Sequence, residues 1–276
     1  MIFINIKIIG KNKKKSKKMD NIDRNRLVFI ISHKYFKGYS TFTEYYINNI
    51  NKFYDNSLII VVDNNSESKN IIFDNLTKYE NVVLLDNNID CKFEIGAYNV
   101  GLNYLIENNL YDKYDYIVMT QDNFILKNRF DFNELYKRNV TACPVVGHEP
   151  TPSLTGVQFD FVEYYTPLLN NLNLPGRLDE MSFCWCSTFV IATSKIKQLY
   201  SYTSQITIVE RWQSCAGERY IARIILELNE GENYSIDCNL PEVINNYDCH
   251  AVDLFSDVPT FFTKRCQYKT ERTTES

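Results

Sequence analysis

Two aspartates stand where apolar runs stop. Asp63 closes the run in "SLIIVVDNNS" (residues 57–66), and Asp122 follows the apolar stretch of "YDYIVMTQDNF" (residues 114–124). A carboxylate at the end of a buried strand can accept hydrogen bonds from hydroxyls or ligate a hard cation, and open α/β sheets bind ligands at such ends. The structural alternative is a turn, because Asp after a strand bonds its own backbone two or three residues on. At the second position a single acid sits among Thr120, Gln121 and Asn123. Further acids able to take a proton from a hydroxyl are Glu218 in "CAGERYIA", Glu210 in "VERW" and the pair Asp179 and Glu180. His250 in "NYDCHAVDLF" and His148 in "VVGHEP" supply imidazoles. Trp185 and Trp212 suit core packing or stacking against a ligand's rings.

These residues need a sheet to position them. Residues 27–33 ("LVFIISH"), 57–66, 81–88 ("NVVLLDNN") and 114–124 read as strands, and the continuous β-branched run of the second suits burial on both faces. Residues 41–53, 69–78 and 93–108 read as the intervening helices. Phe42, Tyr45, Tyr46, Asn49, Ile50 and Phe53 share one face of the first. Gly96 and Gly101 allow close backbone approach along the third. This alternation implies a parallel α/β sheet with right-handed crossovers, which sets Asp63 and Asp122 along one edge. The second half is less regular, punctuated by Pro144, Pro150, Pro152, Pro167 and Pro175. A strand is expected over residues 181–192 ("MSFCWCSTFVIA") and a helix over 217–228, with Glu218 at its N-terminus.

The dinucleotide fingerprint GxGxxG, the phosphate loop GxxxxGK[ST] and the hydrolase elbow GxSxG are all absent. Three other motifs carry a resemblance. "IIVVDNNSES" resembles the second-strand signature of GT-A glycosyltransferases of the family 2 type. "GAYNVGLNYL" (residues 96–105) is similar to the Ala-x-Asn-x-Gly helix that follows the family's third strand. "YIVMTQDN" falls where that family carries its DxD metal motif, in a form similar to the Asp-Gln-Asp-Ser of rhamnosyltransferase-like members. The three keep the family's order and spacing across residues 27–126.

The resemblance implies a GT-A fold, the α/β nucleotide-diphospho-sugar transferase architecture with a mostly parallel central sheet flanked by helices. It implies a glycosyltransferase of the hexosyl- or deoxyhexosyl-transferring class, acting in glycan biosynthesis. A sugar would pass from a nucleotide-diphosphate donor to a hydroxyl acceptor, a glycan above all, with inversion and with Mn²⁺ or Mg²⁺. In that reading Asp63, Asn99, Gln121 and Asp122 bind the nucleotide sugar, Asp122 and His250 hold the metal, and Glu218 is the catalytic base. This chain departs from the family pattern in three places. Thr120 replaces the first DxD acid, the strand at 181–192 lacks the family's glycine, and Glu218–Arg219 stands in place of Glu-Asp. A GT-A-fold module that binds nucleotide sugars or glycans without transferring them is the alternative. A nucleotidyltransferase of the same layered fold wants a Gly-rich basic loop after the first strand, and "SHKYFKGYS" has one glycine.

Composition narrows the partners. The chain has 276 residues, is 45% hydrophobic and carries a net charge of −4, which excludes disorder and gives no global field for nucleic acid. The basic run "KNKKKSKKMDNIDRNR" (residues 11–26) is expected to be a solvated extension and the one segment suited to an anionic membrane surface. "MIFINIKIIG" is too short and too interrupted to span a bilayer. Eight cysteines without a CxxC pair read as reduced, mostly buried thiols. The expectation is a soluble, cytoplasmic protein. Residues 1–26 form the extension, 27–126 the nucleotide-sugar half, 127–262 the acceptor half and 263–276 a polar tail.

Overall fold

Strand β1 (Leu27–His33) is buried along its whole length. Its side chains alternate between two cores: Val28 and Ile30 pack into one, Leu27, Phe29 and Ile31 into the other. Only a central strand covered on both faces can be apolar at successive positions in this way. The structure, a computed structural model, describes residues 25–35, 43–66, 69–122, 124–126, 128–145, 147–148, 158–174, 183–184, 187–232, 234–236 and 262–264.

After β1 the described elements run in chain order. They are α1 (Thr43–Phe53), β2 (Leu58–Asp63), α2 (Lys69–Leu76), β3 (Val82–Asp86), α3 (Phe93–Glu107), β4 (Tyr116–Gln121), β5 (Phe124–Leu126), α4 (Asn133–Lys137) and β6 (Ala142–Pro144). Then come β7 (Gly147–His148), α5 (Gln158–Asn171), β8 (Phe183–Cys184), β9 (Phe189–Ala192), α6 (Ile196–Thr203), α7 (Arg211–Leu228) and β10 (Phe262–Lys264). Among the described residues the main sheet has six strands in the order β3-β2-β1-β4-β9-β6. Strands β1 to β4 are mutually parallel, and β9 enters antiparallel between β4 and β6. The protein is therefore α/β with a mostly parallel central sheet flanked by helices, as its alternating pattern implies. Among the described residues no helix is long and apolar enough to cross a membrane.

The chain builds outward from β1 through β2 to β3, then returns to place β4 on the other side of β1. The order reverses between β1 and β4, and the two crossovers diverge there. Such a switch point opens a crevice above the C-terminal strand ends.

Helix α3 covers β1 and β2 at close range. A Cβ on Gly101 would lie 2.7 Å from Ile30 Cγ2, and one on Gly96 only 1.9 Å from the Cys91 carbonyl oxygen. The first neighbour is the end of a side chain; the second is backbone and cannot yield without moving the loop ahead of α3.

Two local expectations are corrected. The single strand over 181–192 is two strands in different sheets: β8 pairs with β7, and β9 joins the main sheet. Ser187, at φ 49°, sits between them in the left-handed region, where an extended chain cannot continue. The last helix begins at Arg211, not Gly217. Glu210 is its N-cap and forms a reciprocal capping box with Gln213. Glu218 therefore lies two turns inside the helix. At the other end of the chain, Arg26 donates two bonds of 2.9 Å to Asp115, and Asn25 accepts from the Phe132 amide at 3.0 Å. Both residues are anchored to the sheet layer.

Gly96→Ala should lower the urea midpoint by an amount worth roughly 1–3 kcal/mol, with Gly101→Ala costing less. Helix propensity alone favours Ala by about 1 kcal/mol, so a more stable Gly96→Ala protein would show that the loop gives way freely.

Candidate functional site

The strand ends of β1 to β4 continue their ladder by one residue. Asn64 N donates to His33 O at 2.8 Å, Asn87 N to Asp63 O at 2.9 Å, and Asp122 N to Ser32 O at 3.0 Å. Side chains then lace the same edge. Asn64 Nδ2 donates to Ser32 Oγ at 2.8 Å, and Asn87 Nδ2 donates to Asn64 Oδ1 at 2.7 Å and to the Cys91 carbonyl at 2.9 Å. Four strand ends thus share one polar, hydrogen-bonded rim, with Ser32, Asn64 and Asn87 all buried.

At the switch point the rim holds a buried pair. His33 is 0% exposed and Asp122 is 7% exposed. His33 Nδ1 lies 2.8 Å from Asp122 Oδ2, and the Lys34 amide donates to that same oxygen at 3.1 Å. A carboxylate oxygen only accepts, so Nδ1 carries the proton toward Asp122. Thr43 Oγ1, at 2.9 Å from that nitrogen, shares it. Tyr46 stands behind, its phenol donating to Thr120 Oγ1 at 3.3 Å. Burial pushes that phenol well above its ordinary pKa, against the smaller opposing pull of the Thr120 bond, so it stays a donor. His33 Nε2 is buried and has no hydrogen-bond partner among the described residues. Both bonds to the Asp122 carboxylate fall on Oδ2, and no described residue bonds Oδ1.

Asp63 is arranged differently. Its Oδ2 accepts from the Ser66 amide at 3.0 Å and its Oδ1 from the Ser66 hydroxyl, closing a turn that Asn65 passes at φ 59°. Ser66 Oγ also accepts from the Tyr35 amide at 2.7 Å, so this turn is tied to the loop after β1. Asn99 faces α6: its Nδ2 donates to the Thr203 carbonyl at 3.0 Å and its Oδ1 accepts from the Thr203 hydroxyl at 2.5 Å. Contact between Asn99 and a ligand would require breaking that clasp.

Gln121 points to the opposite face of the sheet from Thr120, as successive strand residues do. Its Nε2 donates to Glu94 Oε1 at 2.8 Å, and Ser214 Oγ of α7 donates to Glu94 Oε2 at 2.6 Å. Glu94 thus joins β4, α3 and α7 at the rim. Phe93 just before it sits at φ 58°, a conformation that costs a bulky residue about 1–3 kcal/mol and is concentrated at functional sites. The loop ahead of α3 is stitched to the one ahead of α7: Lys92 N donates to Ile208 O at 2.6 Å. Burial raises the Cys91 thiol, against a weaker pull from the Ile208 amide, so it stays protonated there.

The structure brings together Asp63, Gln121 and Asp122 of the sequence-derived set. Glu218 is half-buried on α7, one turn beyond Ser214 from the rim, and Glu210 caps the helix with its carboxylate on Trp212 Nε1. His250, Trp185, Asp179 and Glu180, and the side chain of His148, lie outside the described residues. Sequence reasoning missed His33 and Glu94. The first was readable as a lone imidazole ending the most buried strand; the second had no signal beyond an acid in a helix's first turn.

Among the described residues no three or more His, Cys, Asp or Glu side chains are grouped to hold an ion. Asp122 Oδ1 is a hard oxygen suited to Mg²⁺ or Mn²⁺, which keep waters and take further oxygens from a phosphate ligand. This donor set fits a cation completed by water and by a ligand's own oxygens, not a cage formed by the described residues alone.

No family model matches the sequence, and no curated protein matches it. Among solved structures the chain is similar to 4-diphosphocytidyl-2C-methyl-D-erythritol synthase from Anaerococcus prevotii. The TM-score is 0.44 at 14% identity over 72% of this chain and 84% of that one. It is also similar to a mannosyltransferase from S. cerevisiae in complex with GDP, with a TM-score of 0.35 and 13% identity over 76% of this chain and 68% of that one. A mannosyltransferase from Pyrobaculum calidifontis in complex with GDP-Man and Mn²⁺ gives 0.36 and 15%, over 57% of this chain and 50% of that one. All three scores fall below 0.5, so the likeness carries no argument about activity.

Asp122→Ala leaves the buried Nδ1–H of His33 with the Thr43 hydroxyl alone and the Lys34 amide without its acceptor, and should cost roughly 1–3 kcal/mol in chemical denaturation. Asp122→Asn keeps an acceptor and should cost clearly less. Equal losses would show that the pair does not hold the two strand ends.

Proposed function

We infer that the protein is a GT-A-type glycosyltransferase that moves a sugar from a nucleotide-diphosphate donor to a hydroxyl acceptor, and that the crevice between β1 and β4 holds the donor. The observation that carries this reading is the Asp122 carboxylate. It is fixed through one oxygen at the topological switch point and leaves the other without a described partner. Asp63 stands on β2, two strands from β4 along the same edge, about 10 Å away by strand spacing. A nucleoside diphosphate spans that interval. The order of the three sequence motifs supports the same placement, with Asp63 toward the nucleoside and Asp122 toward the diphosphate.

In this mechanism the rim orients the donor, and the Asp122 Oδ1 faces its diphosphate. A divalent cation, when bound, supplies charge that stabilises the departing diphosphate. Helices α3 and α7 bring the acceptor-side acids Glu94, Glu210 and Glu218, one of which takes the proton from the acceptor hydroxyl. Inversion by direct displacement is the expected course. Membrane contact, if the protein has one, is assigned to the basic run at residues 11–26.

A donor-binding module without transfer is the second reading. It is favoured by two departures from the family pattern, Thr120 in place of the first DxD acid and Glu218–Arg219 in place of Glu-Asp. Release of nucleoside diphosphate by slow donor hydrolysis separates the two.

Asp122→Asn provides the sharper test of the binding site. His33 and Lys34 are donors and draw the amide oxygen toward themselves, so the amide nitrogen replaces Oδ1, where it cannot ligate a cation. Thermal-shift titration with UDP-, GDP- and dTDP-sugars should show a cation-dependent donor effect in the parent and its loss in Asp122→Asn. If Asp122→Asn binds donor and Mn²⁺ like the parent, Asp122 is a structural residue and the reading fails.

A further inference from the structure

Glu94 is the acid with the best claim to the reacting end of the donor. Three elements converge on it: it stands in the first turn of α3, Gln121 at the tip of β4 holds one oxygen, and Ser214 in the first turn of α7 holds the other. Its neighbour Gln121 is adjacent in sequence to Asp122, so Glu94 is one side chain removed from the residue assigned to the diphosphate. The two acids flank the tip of β4 from opposite faces. Asp122 meets His33 on the side where Thr43 and Tyr46 of α1 stand, and Glu94 meets Gln121 on the side of α3 and α7. Direct displacement needs that opposition: the nucleophile enters the anomeric carbon on the side away from the leaving diphosphate.

The rival acids are placed less well. Glu210 is held in the helix cap and by Trp212. Helix α7 runs away from the rim, from Ser214 beside Glu94 to Asn229, which accepts from the Thr141 amide ahead of β6. Each turn descends about 5.4 Å, so Glu218 lies about that far below Ser214. Glu94 is half-buried and each of its oxygens accepts one bond, which leaves lone pairs for a third donor.

We propose that Glu94 is the general base of this site, a role that rests on the transferase reading above. The acceptor O–H gives its proton to a Glu94 oxygen as the acceptor oxygen bonds to the anomeric carbon. The bond from that carbon to the diphosphate oxygen breaks, and its electron pair leaves with the nucleoside diphosphate. Glu94 afterwards returns the proton to solvent. Gln121 and Ser214 hold the carboxylate in place for that transfer.

The test uses the full chain, the donor selected from UDP-, GDP- and dTDP-sugars by thermal shift, and water as acceptor, reading nucleoside diphosphate release. Glu94→Gln keeps an acceptor for Gln121 and a partner for Ser214, so it should bind donor within about twofold of the parent. Its release rate should fall about 10²-fold or more. Azide attacks carbon without a proton to surrender, so it should restore release by Glu94→Gln to within tenfold of the parent. A Glu94→Gln protein that hydrolyses donor at the parent rate overturns the assignment. So does a slow one that azide leaves slow, because a positioning role predicts no rescue. Azide-rescued loss in Glu218→Gln, with Glu94→Gln active, moves the base to Glu218. A parent protein that binds none of the donors overturns the transferase reading itself, and this inference with it.

Discussion

A buried imidazole facing a buried carboxylate, at the one place where the strand order reverses, is the constraint the rest of the rim depends on. Neither His33 nor Asp122 can be withdrawn from water cheaply on its own. Together they satisfy each other only if β1 and β4 end side by side in the observed register, with Ser32 opposite Gln121. That register requires β1 to be central, hence apolar on both faces, and requires α1 to stand close enough to bring Thr43 to His33 and Tyr46 to Thr120. Breaking one member leaves the other stranded, which costs more than the pair contributes when intact. The pair therefore acts more on the specificity of strand placement than on the depth of the folding well.

Most of the scaffold was legible because its signals were local and redundant. The residues 27–33 chosen as the first strand coincide with β1, and the third helix ends within a residue of its expected limit. A parallel sheet writes itself as unbroken apolar runs between amphipathic helices, and this chain keeps that alternation up to β4. What followed β4 was harder for a stated reason. The run at 181–192 is apolar but for Ser182, Ser187 and Thr188, and two small hydroxyl residues between apolar stretches do not announce that the chain leaves one sheet at Cys184 and joins another at Phe189. The start of α7 was missed because its cap is Glu210, outside the Ser, Thr, Asp and Asn set that marks most N-termini.

The candidate site was legible to a smaller degree. Acids at strand ends could be found by pattern, but their partners could not. Asn64 and Asn87 were hidden by a composition rich in asparagine, although they carry the lacing between β1, β2 and β3. Glu94 was hidden because its meaning comes from Ser214, 120 positions away, and from Gln121 across the sheet edge. Long-range hydrogen bonds of this sort have no sequence period to betray them.

The rim's engaged groups bear on how a ligand would be received. Asp63, Asn64, Asn87 and Asn99 bond to other parts of the protein, so the four strand ends form a rigid frame. A frame already held in place loses little entropy when a ligand arrives, which is the advantage of preorganisation. Within it two carboxylates stand at the tip of β4. Asp122 is fixed through one oxygen only, and Glu94 through a single bond at each oxygen. Both are positioned without being saturated, on opposite faces of one strand tip. Displacement at a carbon between a leaving anion and an incoming hydroxyl needs the same division of labour, with one group toward the departing charge and another toward the proton.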